Sequence, residues 1–134
     1  MLSVLNGCQR AALEEATRLF NTGDYFTCHE VLEEAWREAE EPARTFLKGL
    51  IHAAVALYQY QRGNSHGARV KSASARRYLE PYLPSCERLD LQTLLADLER
   101  FIAPLYDRPP GAPPPRPRQP WPRLRDAGGE RFDS

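Results

Sequence analysis

The sequence predicts an all-α protein: a compact bundle of about five helices, two antiparallel helical hairpins plus a C-terminal helix, with an extended Pro/Arg-rich tail. Three observations predict it. Apolar residues recur at helical spacing in five stretches, and no convincing strand lies between them. Two links, Asn21-Thr22-Gly23-Asp24 and Arg62-Gly63-Asn64, set a helix-stopping glycine beside a capping side chain, which folds the flanking helices back on one another. Eight of the twelve prolines lie in the last 28 of 134 residues, dividing a bundle domain, 1–106, from a flexible tail, 107–134.

The first helix is expected from Gln9 to Asn21, with Ala12, Ala16, Leu19 and Phe20 on one face. Asp24 caps the second, Tyr25 to about Glu40, whose apolar stripe is Tyr25, Cys28, Leu32, Ala35, Trp36 and Ala39. The third starts at Pro42, tolerated in a first turn, and runs to Arg62. Its apolar residues cover nearly the whole circumference, as in a buried helix, leaving one narrow polar stripe of Lys48, His52 and Gln59. Asn64 or Ser65 caps the fourth, whose small face of Gly67, Ala68, Ser72 and Ala75 admits close approach to the third. Pro81 and Pro84 break it near Leu79. Asp90 caps the fifth, striped by Leu91, Leu94, Leu95, Leu98, Phe101 and Ile102 and ended near Pro104. Trp121, Leu124 and Phe132 are foreign to a pure linker, so part of the tail is expected to pack on the bundle or on a partner.

Eighteen basic and eighteen acidic residues balance, which excludes a globally basic nucleic-acid coat. Charge is uneven locally: residues 24–41 hold seven acids against Arg37, whereas residues 62–88 hold six bases against Glu80 and Glu87. The three cysteines, Cys8, Cys28 and Cys86, form no CxxC pair, which argues against a disulfide framework or a thiolate zinc site and for buried, reduced side chains acting as small hydrophobes. No run of eighteen apolar residues exists, and Met1 to Gly7 has neither the basic start nor the apolar stretch of a signal peptide. The expectation is a cytoplasmic protein with no membrane partner.

One constellation has chemical content. On the second helix His29 falls about 20° from Trp36 at the edge of the apolar stripe, and Glu33 lies one turn beyond His29. Such a pair can hold a divalent metal, serve as an acid–base couple, or be a hydrogen-bonded boundary histidine. Glu30 lies further round. If the polar stripe of the third helix faces this edge, Lys48 pairs with Glu33 and His52 approaches His29, forming one pocket. The candidate ligand-binding residues are therefore His29, Glu30, Glu33, Trp36, Lys48 and His52, with His29 and Glu33 as candidate metal ligands.

The run from Phe20-Asn21-Thr22-Gly23 to His29-Glu30-Val31-Leu32-Glu33-Glu34-Ala35-Trp36 resembles the signature of domain-of-unknown-function family 309. Two further blocks agree, Phe46-Leu47-Lys48-Gly49-Leu50-Ile51 and Arg62-Gly63-Asn64-Ser65-His66-Gly67-Ala68. The resemblance covers roughly residues 9–83 and implies a helical bundle but no activity. It singles out Phe20, Asn21, Gly23, His29, Glu30, Glu33, Trp36, Gly49, Asn64, Gly67 and Ala68. His52 departs from it, since the family usually has glutamine there. The leading expectation is a non-catalytic module whose His/Glu face recognises a small ligand, an ion or a protein. The rival is a metal-dependent, hydrolase-like enzyme using His29 and Glu33. Assembly into a homo-oligomer is a third expectation. Nucleic acid is not expected, because the basic fourth helix carries no reading motif.

Overall fold

Gly23 and Gly63 adopt left-handed backbone, with φ of 85° and 82°, a region costly to any residue with a Cβ. Each closes one helix, and the next side chain opens another: Asp24 accepts from the Thr27 N–H and Asn64 from the Gly67 N–H. The computed structural model describes residues 3–109 and 111–128. Its helices are α1 (Gly7–Asn21), α2 (Tyr25–Arg37), α3 (Ala43–Gln61), α4 (Ser65–Leu79) and α5 (Leu91–Ile102), with 3-10 turns at Glu80–Tyr82 and Ala103–Asp107. Helices α1 to α4 run up and down, each packed on the next, and α5 lies on α4.

α3 carries the core. Phe46, Leu47, Leu50, Ala53, Ala54, Ala56 and Leu57 are fully buried, and the whole α5 stripe is buried against the bundle. Burial of a leucine or phenylalanine contributes about 1.5–3 kcal/mol, which makes this helix the main apolar contributor. Asn6 and Gln9 form a reciprocal capping box at the start of α1.

Two expectations are corrected. α2 ends at Arg37, short of Glu40. The Arg44 guanidinium donates to the Trp36 and Ala39 carbonyls at 3.1 and 3.3 Å, turning the chain so that Ala39 is buried outside the helix. A small antiparallel hairpin, β1 (Ser85–Cys86) with β2 (Leu89–Asp90), also occupies a stretch expected to hold no strand. Its turn residues Glu87 and Arg88 have positive φ without any Gly or Asn to signal it. The Glu87 carboxylate accepts from the Val4 N–H at 2.6 Å and the Ser3 hydroxyl at 2.7 Å, which pins the turn to the N-terminal segment.

The tail lies along the bundle. Trp121 stacks on Phe101, Tyr60 and Tyr25, with centroids 4.6, 5.6 and 5.8 Å away. Leu124 is buried, and the Asn21 side-chain amide bonds its backbone at both ends, accepting from its N–H at 2.7 Å and donating to its carbonyl at 2.9 Å. Asp126 bridges to Leu89 and pairs with Arg88. Two of the three tail apolar residues thus pack on the bundle; Phe132 lies outside the described residues. Among the described residues no helix is long and apolar enough to cross a membrane.

Candidate functional site

With Cys28 and Leu32 buried, the helical period gives α2 two polar edges. Phe26, His29, Glu33 and Trp36 run along the edge beside α3, whereas Glu30, Glu34 and Glu38 run along the edge beside α1. His29 Nδ1 sits 3.1 Å from the Phe26 carbonyl oxygen, which can only accept, so Nδ1 carries the hydrogen and Nε2 is left to bind a proton, a cation or a ligand donor. Nε2 lies 4.0 Å from Glu33 Oε2, with the two side chains 23% and 41% exposed, so the pair is half-buried. The other Glu33 oxygen is 3.5 Å from Arg37.

The expected Lys48–Glu33 ion pair is not formed. Lys48 Nζ lies 4.3 Å from the centre of the Trp36 ring, and the Arg44 guanidinium 3.9 Å from it, so one indole carries two cations. Glu33 finds its base one turn along its own helix, in Arg37. His52 is claimed by the other neighbour. Its ring meets Tyr78 of α4 edge-on at 5.1 Å, and its Nδ1 is buried without a hydrogen-bond partner. Burial, with the charges of Lys71, Lys48 and Arg77, lowers its pKa to about 4, so it is neutral at pH 7.

The six candidate residues therefore divide. His29, Glu33, Trp36 and Lys48 share the α2–α3 face, His52 belongs to the α3–α4 contact, and Glu30 lines a groove of about 610 Å³ between α1 and α2 with Ala12, Val31, Ala35 and Cys8. The single pocket with two imidazoles does not exist. Among the described residues, no three His, Cys, Asp or Glu side chains converge to hold a metal ion.

Sequence reasoning passed over Phe26. It is 44% exposed, yet stacks on His29 at 5.4 Å and on Tyr58 at 5.2 Å, and Arg62 lies 5.6 Å over Tyr58. Its signals were its place one turn before His29 and the aromatic pair Tyr25-Phe26 in the resembling family's signature, but the apolar stripe was already complete without it.

Residues 13–70 match the family model described as Domain of unknown function (DUF309), a segment that runs from the middle of α1 to the middle of α4 and excludes α5 and the tail. A Bacillus subtilis (strain 168) relative named Uncharacterized protein YpuF is 37% identical over 83 residues, covering 61% of this chain and 48% of its own. An Aquifex aeolicus (strain VF5) relative named Uncharacterized protein is 43% identical over 70 residues, 49% of this chain and 21% of its own. The chain thus spans less than half the length of either relative.

Proposed function

Starting from a DUF309 segment over residues 13–70, we propose that the protein is a binding module whose recognition surface is the α2–α3 face of Phe26, His29, Glu33, Trp36 and Lys48. The observation that supports this reading is Phe26. This large apolar ring, 44% exposed between a half-buried histidine and a tyrosine, puts apolar surface beside the polar groups of the face. Around it the face offers a free imidazole nitrogen, a carboxylate, and an indole topped by cations. This mixture suits a ligand or a protein segment with both an apolar and a polar part.

The test is retention. Wild-type protein purified from native cells without denaturant is compared by native mass spectrometry with a Phe26→Ser/His29→Ala/Lys48→Ala variant shown to be folded by circular dichroism. A bound species held by the wild type and lost from the variant is expected. Equal retention, or no species on either, overturns the proposal. The rival hydrolase reading has only two donors, His29 and Glu33, and two donors alone hold a metal weakly.

A further inference from the structure

The tail and the bundle form a second cleft, mostly outside the matched segment. A cleft of about 420 Å³ lies between residues 115–119 and the ends of α3 and α5. Four arginines line it, Arg100, Arg108, Arg116 and Arg118, with Asp107 as its one acidic residue. Arg100 is already paired with Asp97 on its own helix. Among the described residues neither Arg116 nor Arg118 has a hydrogen-bond or ion-pair partner. Counting Asp97 and Asp107 against the four guanidinium groups leaves two positive charges unmatched.

The cleft is built rather than incidental. The Tyr60 hydroxyl donates to the Pro115 carbonyl at 2.7 Å, and Arg108 Nε to the Pro113 carbonyl at 3.0 Å. On the far side Trp121 anchors the chain on Phe101 and Tyr60. Between these anchors Arg116 and Arg118, two apart in the chain, both line the cleft. Pro115 and Pro117 fix the local backbone, so little conformational freedom remains to be lost on binding. Phe101, Pro104 and Pro117 supply apolar wall.

We propose that this cleft binds a phosphomonoester dianion. A phosphomonoester carries about two negative charges at neutral pH, which matches the charge left over, and its three terminal oxygens suit forked guanidinium donors arriving from different directions. A carboxylate balances half that charge. The volume and apolar wall leave room for an organic body behind the phosphoryl group. This site is independent of the α2–α3 face.

The experiment titrates the full chain, at constant ionic strength, with inorganic phosphate, a nucleoside 5′-monophosphate and acetate, reading amide and arginine side-chain NMR shifts. Saturable binding of phosphate or the monophosphate, tighter than acetate, is expected. Phosphate alone identifies the free ion as ligand; tighter monophosphate identifies the ester. Arg116→Ala and Arg118→Ala should each weaken binding by about tenfold, one lost charge-assisted bond. The Leu124 amide signal reports whether the tail stays docked; if a tail variant shifts it, Arg100→Gln, on α5, supplies the same reading. No saturable binding, acetate binding as tightly as phosphate, or affinity unchanged in variants with the tail docked overturns the proposal.

Discussion

His52 holds a nitrogen out of water with no partner, beside Tyr78 and within the field of Lys48, Lys71 and Arg77. Its folded pKa of about 4 lies below the usual 6.5, so between those values the unfolded chain binds the extra proton. The stability linked to this group is complete above pH 6.5 and drains away as pH falls toward 4. His52→Gln, the residue usual in the resembling family, removes that proton uptake. The variant's thermal midpoint should fall less steeply than the wild type's across the window, and parallel curves would assign the slope to carboxylates instead. Burial likewise pushes the Cys28 thiol up to about 12 and Cys86 to about 11, as expected of covered thiols, whereas Cys8, expected to be buried with them, is exposed at the start of α1. Helical arithmetic placed His52, Lys48 and His29 accurately around their own helices. It had no access to which neighbour would claim each, and that choice separates His52 from His29.

Gly49 decides how closely α3 and α4 meet. A Cβ built there would lie 2.5 and 2.6 Å from Leu79 side-chain carbons and 3.2 Å from the Tyr78 Cβ, and Leu79 is fully buried. Alanine would bring about 1 kcal/mol of helix propensity. The overlap with a buried neighbour outweighs it, so Gly49→Ala should destabilise by roughly 1–3 kcal/mol in urea unfolding. A stabilised variant would mean that Leu79 has room to turn aside. Helix-level features were the most legible. Gly23, Gly63, Asp24, Asn64 and Asp90 act through backbone chemistry within a few residues, so their effects needed no knowledge of tertiary neighbours. The Glu87–Arg88 turn was invisible because its positive φ is held by contacts to residues 3–5, more than eighty positions away.

At the scale of the whole molecule the tail ties α5, which lies outside the matched segment, to α2 and α3 within it. Trp121 touches rings from α2, α3 and α5 at once. Trp121→Ala should cost roughly 2–3 kcal/mol, below the full-burial figure because the ring is only partly covered, measured as a lowered urea midpoint. An unchanged midpoint would show that the tail adds nothing to the bundle's stability. Proline, arginine and glycine dominate the tail and pointed to a flexible segment, whereas Trp121 and Leu124, foreign to a pure linker, pointed to the part that docks. The clasp at Asn21 has a consequence of its own. A side-chain amide offering a donor and an acceptor to one residue's backbone treats the tail as a tethered ligand, present at an effective concentration on the order of millimolar. Any free extended strand presenting the same two groups would have to approach that concentration before it could take the tail's place.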